Sequence, residues 1–338
     1  MRRLLFWAVV IGAVLFLAAH IAEIAVFARS LMGAEKGWLL AAVGLQAVYF
    51  VLYAECYRSA FMVVDTPRPM RQMLPAVFAA LFANVVTPTA GAAGPALIID
   101  DAVQYGANPA RAVAATLLAQ GCVFLGHAIA VAPGLLVLAL SGLIRPYQIV
   151  GMLVLMAIVF VHIAAFVLAL RSPRTLLAIL LGLADAAERA SRALRHPIHV
   201  PEDWAERTTS DSCASAALVA RRPSGIVRTL VFVVAGFAFD LASLYAIAMA
   251  FDFRLGSGEV LAGYAVGRLF WIVSPLPQGI GLVGGAMILT LTSFHASPDL
   301  AIAIATTYRG IAFWLPFFIG MLMLRVTGSF ALRRPAKT

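Results

Sequence analysis

Three ionisable residues, Asp240, Arg268 and Arg309, stand inside stretches that are otherwise apolar. A charge held in hydrocarbon is costly, so it pairs with another charge or faces a polar path. Two guanidinium groups and one carboxylate suit a headgroup phosphate, with Asp240 as a counter-ion displaced or protonated as the cargo moves. A buried structural Asp–Arg pair is the competing reading of the same residues. Other groups able to touch a ligand lie in two Pro/Gly-rich segments. Ser274, Gln278, Gly279 and Gly281 belong to one, Asn84 and Thr87 to the other. Glycines let backbone amides approach an anion at a helix N-terminus, although they equally serve close helix packing. Gln120 holds the place in the first half that Arg309 holds in the second, and Leu81 that of Arg268. A cationic site would therefore belong to the second half alone.

Other polar groups point to less. His20 and Glu23 read as an interfacial pair or a proton relay, His127 and His162 as packed histidines, and Asp100 and Asp101 as solvated caps. Cys56, Cys122 and Cys213 have no metal-type spacing. No nucleophile elbow, phosphate loop, zinc-type His-Glu helix or dinucleotide fingerprint occurs in the sequence, so neither enzyme activity nor a cofactor is expected.

The elements that must position these groups are set by hydropathy. Hydrophobic residues make up 62% of the chain and charged residues 12%, with a mean hydropathy of +0.95. Soluble domains carry about twice that share of charge, so an all-α polytopic membrane protein is expected. The net charge of +9 is nearly all arginine, gathered between apolar runs. That pattern fits topology signals rather than nucleic-acid binding, for no aromatic platform accompanies it. Apolar runs near 4–27, 38–57, 110–140, 146–170, 226–251 and 299–326 predict six full spans, the first an uncleaved helix. Two longer runs, 72–107 and 260–296, are broken by proline and glycine and predict re-entrant hairpins with Thr87-Pro88 and Ser274-Pro275 near their tips.

The broken runs are one motif used twice. Val85-Val86-Thr87-Pro88-Thr89-Ala90-Gly91-Ala92-Ala93-Gly94-Pro95-Ala96-Leu97 corresponds to Ile272-Val273-Ser274-Pro275-Leu276-Pro277-Gln278-Gly279-Ile280-Gly281-Leu282-Val283-Gly284-Gly285-Ala286, and each leads on to an alanine-rich helix. Placing every arginine cluster in the cytoplasm requires both broken segments to enter and leave on the same face. The first then starts inside and the second outside, so that halves at about 38–140 and 226–326 form an inverted repeat within one domain. Duplicated, interrupted segments of this kind point to a transporter's substrate site. The 171–225 connection is expected to be cytoplasmic: a helix over 174–195 able to lie at the interface, then a loop to Arg222. Both chain termini are expected in the cytoplasm.

The run Ser274-Pro275-Leu276-Pro277-Gln278-Gly279-Ile280-Gly281-Leu282-Val283-Gly284, followed by Arg309 and Trp314-Leu315-Pro316, resembles the membrane region of lysylphosphatidylglycerol synthases. That flippase-like family includes stand-alone members, and the likeness extends to the Asn84…Thr87-Pro88…Gly91…Gly94 block and to Gly320. The resemblance implies lipid translocation between leaflets of the bacterial cytoplasmic membrane. Relatives commonly have Pro-Gly-Gly at 277–279, an acidic residue at 284 and a charge within 96–99. Here Gln278, Gly284 and apolar Ala96 to Ile99 stand instead, which leaves room for a more neutral, hopanoid-type lipid. No counterpart of the synthases' soluble aminoacyl-transferring part is evident, so no aminoacyl transfer is expected. The expected partners are membrane lipids, either an anionic phospholipid or an isoprenoid lipid. A lipid-biosynthesis enzyme and further copies of the chain are additional candidates. A transporter of a small anionic solute, or a non-catalytic partner of a lipid-modifying enzyme, would use the same residues.

Overall fold

A computed structural model describes residues 27–87, 91–193, 201, 203–253, 256–274, 279, 281–324 and 327. In chain order the helices are α1 (Lys36–Val63), α2 (Met70–Val86), α3 (Ala93–Gln104), α4 (Pro109–Leu140), α5 (Pro146–Arg171) and α6 (Pro173–Ala193). There follow α7 (Trp204–Ala220), α8 (Pro223–Ala250), α9 (Ser257–Val273), α10 (Leu282–Ser293) and α11 (Pro298–Arg309). The last runs through one π-helical turn, Gly310–Trp314, into α12 (Leu315–Met323). No strand occurs among the described residues. The protein is an all-α polytopic membrane protein. Five segments are long and apolar enough to cross a bilayer: α1, α4, α5, α8 and the continuous Pro298–Met323 unit. They fall on the runs expected from the sequence. Residues 4–26 of the first expected span, with His20 and Glu23, lie outside the described residues.

Local chemistry sets the helix starts. Proline, whose missing N–H costs nothing in the first turn, opens α4, α5, α8 and α11. Asn108 caps α4 by accepting from the Arg111 amide at 3.3 Å, and Glu259 reaches back to the Gly256 amide at 3.1 Å to start α9.

Each Pro/Gly-broken segment is a pair of helices, α2–α3 and α9–α10, packed on one another. The arms have 17 and 12 residues in both cases. At 1.5 Å per residue they reach about 25 and 18 Å, short of the roughly 30 Å hydrocarbon layer. Gly91 (φ 85°), Gly279 (φ 64°) and Gly281 (φ 76°) supply the left-handed backbone of the turns. Other helices match in length or in packing. α1 and α8 both have 28 residues and form the most extensive helix pair; α4 packs on α9 as α12 packs on α2. Glycine makes both of the latter contacts close. A Cβ on Gly134 would come within 2.4 Å of the Leu261 carbonyl oxygen, and one on Gly320 within 2.3 Å of that of Phe78.

Two expectations are corrected. The stretch from His196 to Arg222 is not all loop, for α7 occupies Trp204–Ala220. It starts at Asp203, which pairs with Arg207 one turn on, and buries Ala205, Ala216 and Val219. It packs on α4, α5, α6 and α8. Asp101 is not a solvated cap either. It is 1% exposed and pairs at 2.5 Å with buried Arg68, which also lies over the rings of Phe61 and Tyr105. Asp100 is exposed, as expected.

Candidate functional site

A narrow cavity lies between the two Pro/Gly-broken segments and two of the spans. Its walls are Tyr49 and Phe50 of α1, Leu81 and Val85 of α2, Gly267, Arg268 and Trp271 of α9, and Val283 of α10. Tyr308 and Arg309 of α11, the π-turn and the start of α12 complete it. Both hairpins and two of the spans thus contribute. The cavity volume is about 80 Å³, room for two or three waters at roughly 30 Å³ each.

Behind the wall, Asp240 is fully buried in α8 and saturated with donors. Tyr264 gives it a hydroxyl at 2.8 Å, and Tyr308 lies 2.9 Å from Oδ1 and 3.0 Å from Oδ2. The Arg268 Nη2 group forms an ion pair with the same carboxylate. The Arg268 guanidinium also sits over three rings, Tyr49, Phe237 and Tyr264, with centroids 5.3–5.5 Å away. Its charge is therefore held by one anion and an aromatic cage, while one side faces the cavity. His127 lies against the same cluster, 4.3 Å from the Phe237 ring and stacked on Trp271 at 5.3 Å.

Arg309 is 5% exposed and lines the cavity with its guanidinium 5.1 Å from the Phe313 ring centroid. It is the last residue before the π-turn, a backbone irregularity that recurs at functional sites because it re-aims side chains. Its stem runs past Gly284, where an added Cβ would lie 3.2 Å from Arg309 Cδ. Gly310 is covered by Phe27, whose ring would meet a Cβ there at 2.1 Å.

The fold brings Arg268 and Arg309 into one cavity with Asp240 behind them, and Leu81 joins the wall. Among the described residues, the other sequence candidates do not line it. Asn84 accepts from the Gly94 amide at 2.6 Å and so clasps the two arms of the first hairpin. The Thr87 hydroxyl turns back to the Ala83 carbonyl. Gln120 accepts from Tyr57 at 3.3 Å, and the Ser274 amide closes α9 on the Phe270 carbonyl at 3.1 Å. Gly279 and Gly281 shape the second turn; Gln278, like Pro88 and Pro275, lies outside the described residues. Sequence reasoning missed Tyr49, Tyr264, Tyr308, Trp271 and the placement of His127. Tyr49 falls in the i,i+4 run with Tyr53 and Tyr57, and Tyr308 is next to Arg309, but neither pattern sets them apart from core aromatics, and Tyr264, Trp271 and His127 carry no such signal.

A family model described as the lysylphosphatidylglycerol synthase TM region matches residues 5–320. No curated protein matches the chain. The match spans every helix of the cavity, and the chain belongs to the lysylphosphatidylglycerol synthase transmembrane-region family.

Proposed function

We propose that this protein moves a lipid between the leaflets of a membrane by alternating access, without catalysing a reaction on it. The observation that carries the proposal is the cavity walled by both hairpins, with two guanidinium groups in its lining. Family membership supports a lipid-related role. In this reading the halves at about 38–140 and 226–326 are related by a pseudo-twofold axis in the membrane plane. Rocking one half against the other exposes the cavity to each side in turn. Arg309 and Arg268 take the headgroup anion, a phospholipid phosphate or the polar end of an isoprenoid lipid. The aromatic and aliphatic walls take the adjoining apolar part. The arginine-rich 171–225 segment and both termini face the cytoplasm, in the bacterial cytoplasmic membrane.

Reconstitution of the full chain in vesicles, with a labelled lipid in one leaflet, tests this. Arg309→Ala abolishes leaflet exchange and keeps the thermal midpoint of the parent protein. Exchange at the parental rate in that variant removes Arg309 from the mechanism. One observation favours a second reading: a volume of about 80 Å³ fits a small anionic solute better than a headgroup. Uptake of a soluble phosphate ester into the same vesicles, without lipid exchange, selects that reading.

A further inference from the structure

A polar thread in the membrane interior leads away from the cavity. On α1, Gln46, Tyr49, Tyr53 and Tyr57 are spaced three and four residues apart, share a helix face, and are all buried. Successive tyrosine rings lie 5.9 and 5.6 Å apart. The Tyr53 and Tyr57 rings meet edge to face, and Tyr57 donates to the half-buried Gln120 at 3.3 Å. At the other end Tyr49 meets the Arg268 guanidinium. From Tyr49 to Tyr57 the thread climbs about 12 Å of bilayer. Hydrocarbon packing alone would be served as well by phenylalanine.

A second observation points the same way. Both amide atoms of Gln46 and the Nε2 of His127 are buried with no protein partner, at 1% exposure each. Buried polar groups in native proteins find partners, and where protein supplies none the partner is water. Polar groups needing water thus stand at the cavity end of a line of hydroxyls.

We propose that this thread is a proton path to Asp240, and that it couples lipid movement to protons; the inference rests on the transport reading above. The groups facing Asp240 are Tyr264 and Arg268 of α9, Tyr308 of α11 and, across Arg268, Tyr49 of α1, with Arg309 and His127 beyond. While Arg268 holds the carboxylate, a guanidinium that does not release protons blocks the thread. An anionic headgroup that draws Arg268 into the cavity leaves a buried carboxylate with hydroxyl donors and no cation. Such a group is neutralised by taking a proton. Each hydroxyl accepts a proton on its oxygen as it passes its own onward, so the tyrosines end unchanged and the proton rests on an Asp240 oxygen. One anion and one proton then move together, and the cycle carries no net charge.

The test uses full-length protein in phosphatidylcholine vesicles with labelled phosphatidylglycerol in the outer leaflet and a pH-reporting dye trapped inside. The expected result is exchange accompanied by lumen acidification, accelerated by an inward pH gradient and indifferent to a potassium–valinomycin potential. Tyr53→Phe and Tyr57→Phe keep the rings and lose the hydroxyls; acidification in them falls to the rate of protein-free vesicles. Exchange by the parent protein at constant lumen pH overturns the coupling and leaves the transport reading standing, whatever the variants do. Parental acidification in both phenylalanine variants also overturns it. Absence of leaflet exchange by the parent protein overturns the transport reading, and the coupling with it.

Discussion

Tyr308 reaches from α11 to the buried Asp240 of α8, its hydroxyl within 3.0 Å of both carboxylate oxygens. The next residue, Arg309, faces the cavity at the start of the π-turn. In the transport reading, a shift of the α11 backbone that carries Arg309 toward a ligand would carry the Tyr308 hydroxyl with it. Binding in the cavity would then be coupled to the ion pair behind it.

Removing partners from Asp240 should destabilise the fold in order of charge. Tyr308→Phe loses a hydrogen bond to a charged group, about 1.5–3 kcal/mol. Arg268→Ala leaves a buried carboxylate without its cation and costs about 3–5 kcal/mol. Denaturant midpoints in detergent check both, and equal, negligible shifts would contradict the buried cluster.

The Arg68–Asp101 pair ties the loop before α2 to the end of α3. Both side chains are at most 4% exposed, so salt screens the pair little. Asp101→Ala strands a buried guanidinium and is expected to cost about 3–5 kcal/mol. That loss should be the same at low and high ionic strength, measured by thermal unfolding.

Gly134 and Gly320 make the matching contacts α4–α9 and α12–α2. Alanine at either position must push helix backbones apart, an overpacking cost of about 1–3 kcal/mol. The two variants should lose similar stability and both slow leaflet exchange. A silent Gly320→Ala variant would deny the close approach there.

Gly284 lies against the Arg309 stem. Gly284→Asp puts a carboxylate beside that guanidinium, where it competes with an anionic cargo. Apparent affinity for the anionic lipid should fall about tenfold, or 1.4 kcal/mol, with the thermal midpoint maintained. Concentration dependence of exchange reads the effect; unchanged affinity argues that Arg309 does not meet the anion.

The spans were legible because apolar runs of about 20 residues have few alternatives in a membrane protein. Proline and glycine marked both hairpin breaks, and Asp240, Arg268 and Arg309 stood out as charges in apolar surroundings. What stayed hidden depended on tertiary geometry. α7 was obscured because its Ser, Thr, Asp and Arg residues read as a loop, while its burial is carried by small residues such as Ala205 and Ala216. Asp101 looked solvated because its partner Arg68 is 33 residues away. Nor does spacing separate Tyr49, Tyr264 and Tyr308 from ordinary core aromatics; only their shared approach to Arg268 and Asp240 does. Asn84 stands out as an amide and Gln120 as the first-half counterpart of Arg309; the fold uses them to hold a hairpin and a tyrosine.

Sidedness of the two hairpins is the measurement that decides most. In a chain with Cys56, Cys122 and Cys213 replaced, single cysteines at the exposed positions Pro67 and Gln104 flank the first hairpin, and those at Ser257 and Ser297 flank the second. A membrane-impermeant thiol reagent should label Pro67→Cys and Gln104→Cys from one side only, and Ser257→Cys and Ser297→Cys only from the other. Labelling of the two flanks of either hairpin from different sides would contradict a cavity enclosed by oppositely inserted copies.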